Sequence, residues 1–231
     1  MEVNADFTKR TVVHGADMDW LASPMAGVSR RMLDRIGGEV ARATSIVRYE
    51  PGSHFSPHVH TGGEEFIVLE GVFQDEHGDF PVGSYIRNPP QSSHTPSSEP
   101  GCVIFVKLWQ FNLDDRTHIR ARMDKAEPLS DPARPGVTVI PLYKDDRENV
   151  RMETWAPGTT VTLDASKGAE VLVLEGGFTV GEDTLKTQSW LRVPIGGTIN
   201  AESGTGGAKV WIKTGHLRFV EDEIAVLDNN A

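Results

Sequence analysis

GSHFSPHVHTGGEEFIVLEG, residues 52 to 71, places His58 and His60 two apart and Glu64 four residues further on. An apolar run, Phe66-Ile67-Val68-Leu69, follows and closes at Glu70-Gly71. On a β-strand, side chains two apart share a face, so both imidazoles look the same way. Gly62-Gly63 allows a local turn or bulge that brings Glu64 round to meet them. Two imidazoles and a carboxylate converging from a rigid strand form most of a metal site. His94 supplies a fourth group. It lies thirty residues beyond Glu64, past Gly83 and Pro89 in GSYIRNPPQSSH.

Outward from this stretch the pattern is mostly period two. Val28 to Ile36 and Val40 to Tyr49 alternate loosely around Gly37-Gly38, a hairpin signal. Short apolar runs recur at Phe66–Leu69, Val103–Leu108, Val137–Ile140, Val171–Leu174 and Val210–Ile212, separated by Gly, Pro, Asp and Ser. Long helical periodicity is absent. The expectation is an all-β sandwich or barrel.

The chain also repeats itself. PGSHFSPHVHTGGEEFIVLEGVF from Pro51 is echoed by PGTTVTLDASKGAEVLVLEGGF from Pro157, and SYIRNPPQSSH from Ser84 by SWLRVPIGGTI from Ser189. CVIFVKLWQF from Cys102 matches KVWIKTGHLRF from Lys209 with one extra residue. Each unit spans about a hundred residues, the size of a small β domain. The interval 123–136, MDKAEPLSDPARPG, has the composition of a stiff solvated linker. The expected division is therefore 1–122, a linker at 123–136, and 137–231. Aligned on the shared E-x5-G ending, His58 becomes Asp164, His60 becomes Ser166 and Glu64 becomes Ala169. The second copy keeps the scaffold and loses the ligands.

Composition narrows the function classes. At 231 residues, with 38% hydrophobic and 24% charged content, the chain has ample core for one large or two small domains. A net charge of -10 and no basic run argue against a nucleic-acid surface. The single Cys102 excludes an intramolecular disulfide and fits a reducing compartment. No apolar stretch approaches a membrane span, and the start MEVNADFTKR has no apolar signal-like region. A cytoplasmic protein with no membrane and no nucleic-acid partner is expected. No G-x-S-x-G elbow occurs, and GTGG at 204–207 lacks the following Lys-Ser or Lys-Thr of a phosphate loop.

The motifs resemble those of the cupins. G-x5-H-x-H-x3-E-x6-G is matched at Gly52, His58, His60, Glu64 and Gly71, and G-x5-P-x-G-x2-H-x3-N at Gly83, Pro89 and His94. Gln91 and Ser98 depart from the second pattern. The resemblance implies two tandem jelly-roll (double-stranded β-helix) barrels, the first binding metal and the second degenerate. More narrowly, WLASPMAGVSRRML and the HxHxGGEE core resemble the ChrR-like cupin group. In ChrR a zinc-binding cupin follows an N-terminal helical zinc domain that grips a sigma factor. This chain shows no Cys/His cluster ahead of its cupin motif, so direct sigma-factor capture is not expected, although a protein partner stays open. The same group resembles small metal-dependent dioxygenases acting on diketones and hydroxyketones. The resemblance thus implies either a sensory or regulatory metal module of the anti-sigma-factor type, or a non-heme dioxygenase acting on a small-molecule ligand or substrate. A homodimer is compatible with either.

His58, His60, Glu64 and His94 suit one divalent ion, Zn or Fe first and Mn or Ni as alternatives, because imidazole is borderline and carboxylate hard. Four protein ligands complete a tetrahedral zinc, whereas an octahedral metal keeps two open positions for chemistry. Other residues have blander readings. Glu65, of opposite parity to Glu64, is expected at solvent or behind the ligands, and Glu70 in a turn. His54 and His77 read as loop histidines. Tyr49, Tyr85, Arg87, Lys107 and Trp109 are candidates to line the barrel, Arg87 and Trp109 with structural readings ahead. Cys102 on its apolar strand reads as buried rather than as a redox sensor.

Overall fold

A computed structural model describes residues 1–38 and 40–228. Strands dominate it, with one short helix at Val220–Asp228 near the C-terminus that sequence periodicity had not singled out. The backbone gathers into two compact units. One holds Met1–Ala5, Asp19–Asp124 and Glu221–Ala231, the other Asp6–Met18 and Lys125–Val220.

In the first unit the expected hairpin forms from Val28–Gly37 and Ala41–Tyr49, with Gly37 at φ 119° where the chain reverses. Its register sets Val28 opposite Tyr49 and Arg30 opposite Val47. Ala41–Tyr49 pairs with Cys102–Leu108, which pairs with Glu64–Asp75, then Ser84–Asn88, then Ile119–Arg122. The strand Glu64–Asp75 is the long form of the apolar run read from sequence, and Phe66, Val68 and Phe73 on it anchor the core with Ile86, Ile104 and Val106. A separate ribbon, His58–His60 with Ser92–His94, carries the histidines and sets His58 directly opposite His94.

The second unit repeats this order strand for strand. Val137–Lys144, Asn149–Trp155, Gly197–Thr214, Ala169–Val180 and Ser189–Val193 follow one another, and the far edge is closed by Thr11–His14. One difference has a plain cause. Gly197–Thr214 runs unbroken for 18 residues, while its counterpart is interrupted into Ser92–His94, Ser97–Ser98 and Cys102–Leu108. Pro96 and Pro100 fall in those gaps, and proline cannot donate to a ladder.

Two sequence-based expectations change here. The interval 123–136 is mostly exposed, as expected, but it is not a free spacer: Leu129–Ser130 is a strand paired with Val137–Lys144, as Leu21–Ala22 is with Val28–Gly37. Nor does the division follow chain order, as the ranges 1–122 and 137–231 imply. Thr11–His14 pairs with Ser189–Val193, in the position that Ile119–Arg122 occupies against Ser84–Asn88. The helical residues 221–228 belong with the first unit, where Glu223 forms a 2.8 Å ion pair with the buried Arg42.

The shared Glu-Gly ending has a steric reason rather than a turn. Gly71 and Gly176 lie inside strands at φ 68° and 67°. A Cβ there would fall 2.0 Å from the Gly101 carbonyl oxygen and 2.2 Å from that of Gly207. Only glycine tolerates both that conformation and that approach.

Interiors separate the units. In the second, Trp155 and Val161 stand where the first has Tyr49 and Phe55, and with Val171, Phe178 and Ile212 they are essentially inaccessible. Each such side chain contributes about 1.5–3 kcal/mol of burial. Ala169, in Glu64's place, is fully buried, and an unpaired carboxylate there would cost several kcal/mol.

Candidate metal centre

His58 and His60 leave one strand, His94 the strand beside it, and their rings stand 4.6 to 5.0 Å apart between centroids. Each offers one nitrogen to a group lying within 4.8 Å of one another. Glu64 begins the next strand. Its Oε2 is 3.4 Å from Nε2 of His60 and 3.7 Å from Nε2 of His94. Gly62 and Gly63 make that close passage possible, because Trp109 packs on the first and Phe111 on the second where any Cβ would collide.

The second nitrogens are committed elsewhere. Nδ1 of His58 is 3.3 Å from the Ser56 carbonyl, and Nδ1 of His94 is 3.2 Å from Oδ2 of Asp75. Both contacts hold the proton on Nδ1 and leave Nε2 as a lone-pair donor, the usual way a histidine is oriented toward a metal. Asn88 donates from Nδ2 to Oε2 of Glu64 at 3.2 Å. His60 is the informative member. Its Nε2 is buried and makes no hydrogen bond, although buried polar atoms are nearly always partnered. An ion at the centre of the cluster would satisfy it.

For His60 the electrostatics agree with that assignment. Burial first, then the neighbouring His94 and His58, hold His60 below the usual imidazole range against the pull of Glu64. It is therefore neutral near pH 7, the form that binds metal. For His94 burial acts downward, but the Asp75 hydrogen bond and the charges of Glu64, Asp75 and Glu76 outweigh it and raise the value. Asp75 is held low in turn: burial opposes, and the His94 bond and the His77 backbone N–H prevail.

The cluster opens onto a cavity of about 220 Å³, lined by His58, Glu64, Arg30 and the apolar wall of Val28, Val47, Tyr49, Phe55 and Ile104. Burial, then the charges of Glu64 and Cys102, push the Tyr49 hydroxyl above its ordinary range, so it stays protonated.

Residues 8–112 match the family model for the ChrR cupin-like domain. Over that span, just under half of the sequence, the chain is similar to the ChrR cupin-like domain. Solved structures share the fold across most of the chain. A candidate dioxygenase of Nostoc punctiforme superposes with a TM-score of 0.71 at 14% identity, covering 89% of this chain and 82% of its own. The pirin YhhW of Escherichia coli, solved with nickel(II), gives 0.64 at 13%, covering 90% and 99%. Oxalate decarboxylase of Bacillus subtilis gives 0.62 at 13%, covering 88% and 76%. No curated protein matches the chain.

The other candidate residues sort clearly. Of those expected to line the interior, Tyr49 does. Tyr85 instead donates to Oε1 of Glu65 at 2.5 Å, and Lys107, fully buried, donates to Thr44 at 2.8 Å. Arg87 pairs with Asp115 at 2.5 Å and stacks on Phe111, and Trp109 covers Gly62. Glu65 does face away from Glu64, but it is 2% exposed rather than at solvent. Its repeat Glu170 is likewise buried, 2.9 Å from Nε2 of His216. His54 is at the surface beside Glu99, His77 sits in the Asp75–Gly78 turn, and Glu70 is exposed inside a strand. Asp164 is exposed and accepts the Ser166 backbone N–H at 2.8 Å, serving a turn. Asp75, Asn88 and Arg30 were not singled out from sequence. No helix among the described residues is long and apolar enough to cross a membrane.

Cys102 sits in the first unit's core, and burial, only partly countered by a Ser98 hydrogen bond, pushes its thiol up to about 11. At pH 8 it should react with a disulfide reagent on the order of a hundredfold more slowly in the folded chain than in urea. Comparable rates in the two states would reopen the redox reading.

Proposed function

We propose that the first unit holds one divalent metal through His58, His60, Glu64 and His94, and that the chain is a metal-dependent oxygenase acting on a small oxygenated molecule. The observation that carries this reading is the cavity. His58 and Glu64 form part of its wall, whereas a structural zinc is closed on all sides. The volume equals that of about seven water molecules, enough for a small ligand beside the ion.

A bound metal of this class supplies Lewis acidity and, for iron, one-electron chemistry. The protein's own part can be stated atom by atom. Asp75 keeps the proton of His94 on Nδ1, and Ser56 does the same for His58. Asn88 occupies one side of Oε2 of Glu64 and so limits how that carboxylate can turn. The apolar wall excludes water from the substrate, and the protonated Tyr49 offers at most a hydrogen bond, not a base. Support from the Nostoc candidate dioxygenase is support for the fold alone.

The ChrR cupin-like match favours a second reading, a sensory module whose metal reports to a protein partner. Oxygen consumption separates the two. Iron-loaded protein, given diketones, hydroxyketones and keto acids, should take up oxygen with at least one of them. X-ray absorption on protein purified without added metal should show more than four ligands. Four ligands and no uptake across the panel would favour the sensory reading.

A further inference from the structure

Arg30 projects from Val28–Gly37 on the same side as Val28, and both line the metal cavity. Its arginine neighbours on that hairpin are engaged: Arg31 and Arg48 stack on Trp20, Arg35 bonds the Gly38 carbonyl, and Arg42 pairs with Glu223. Among the described residues Arg30 makes no hydrogen bond or ion pair, and its Nε is buried without a partner. The half-buried guanidinium thus faces a cavity whose other charged lining, among the described residues, is His58 and Glu64, and a ligand there would give the buried Nε the partner it lacks.

The duplication gives a second, independent observation. Matching registers place Val139 opposite Glu153 in the second unit where Arg30 stands opposite Val47 in the first. Val139 packs against the second unit's apolar core. The copy without the histidine cluster thus carries valine at this position, and the cation is found only with the ligands.

We infer that Arg30 is the specificity-determining residue of the site and that the molecule bound beside the metal is a small carboxylate. A guanidinium matches the two oxygens of a carboxylate and binds it as a charge-assisted pair, whereas a neutral diketone leaves it unsatisfied. A divalent ion with Glu64 and Arg30 leaves the pocket net positive, which also selects an anion. This assignment rests on the metal reading above and narrows its substrate class.

The test uses zinc-loaded protein, so that no turnover intervenes, with zinc content measured on every sample. Pyruvate and its neutral isostere pyruvamide are titrated calorimetrically into the wild type, Arg30→Met and Arg30→Lys. The wild type should bind pyruvate at least about tenfold more tightly than pyruvamide. Arg30→Met should lose that preference with zinc content unchanged, and Arg30→Lys should keep part of it. Equal binding of the two probes by the wild type, an undiminished preference in Arg30→Met, or no saturation by pyruvate, glycolate or acetoacetate would overturn the inference while leaving the metal reading intact. A wild type that takes up no zinc overturns the metal reading, and the Arg30 assignment with it.

Discussion

Replacing His60 by alanine is expected to weaken metal binding by at least about a hundredfold while leaving the metal-free fold almost unchanged. The reasoning starts from the buried Nε2 that no protein group satisfies. Removing a partnered buried group leaves an orphan behind, but removing an orphan does not, so the lost packing is partly offset. The metal-free melting temperature should therefore move little. The loaded protein should lose the extra stability that a ligand binding only the folded state confers. Asp164→Ala, on the other unit, is the control. Its carboxylate is exposed and engaged with Ser166, so metal content should not change. A His60→Ala chain that keeps its metal, or equal loss in both variants, would sink the one-site reading.

The second large effect is expected at Glu153, which has no solvent exposure. Arg134 donates to its two oxygens at 2.9 Å each, Arg151 to Oε1 at 2.7 Å, and the Trp155 indole to Oε2 at 2.8 Å. Burial alone would raise the carboxyl's pKa. The Arg134 bond, then the charge and bond of Arg151 and the indole, reverse this and hold it below the ordinary range. Glu153→Gln keeps the shape but takes the carboxylate away from Arg151 and leaves Arg134 with Asp131 alone, and should cost about 3 kcal/mol. The sign in pH follows from the lowered value. The stabilisation is complete above the unfolded carboxyl's pKa and is lost as pH falls through the folded one. Urea unfolding followed by tryptophan fluorescence should therefore show a variant less stable at pH 7 and less sensitive to acid than the wild type. A loss under about 1 kcal/mol would show that the network is dispensable.

Much of this is legible in the sequence. Period-two alternation located the hairpin, and the repeated E-x5-G ending exposed the duplication because the same steric approach recurs at Gly71 and Gly176. The spacing of His58, His60, Glu64 and His94 named side chains that the fold does bring together. Asp75, Asn88 and Arg30 escaped notice because cross-strand register, not spacing along the chain, places them at the site. Of the two places expected for Glu65, solvent is excluded for a related reason. Parity tells which side of a strand a residue takes, not whether that side is covered. In the interval 123–136 the exposure is legible but the strand is not, because Pro128 and Pro132 bracket an edge strand of two residues, and edges are where proline is tolerated.

The strand Thr11–His14 has a consequence for synthesis. His14 meets Ser189 across 175 residues of chain. At ribosomal speeds of about 5–20 residues per second, this segment leaves the exit tunnel roughly 10 to 35 s before its partner exists. Throughout that wait it is a bare β edge on a nascent polypeptide, open to pairing with other chains. Lys9 and Arg10 directly precede it, and such charges are what keeps an unpaired apolar strand from aggregating on a polysome.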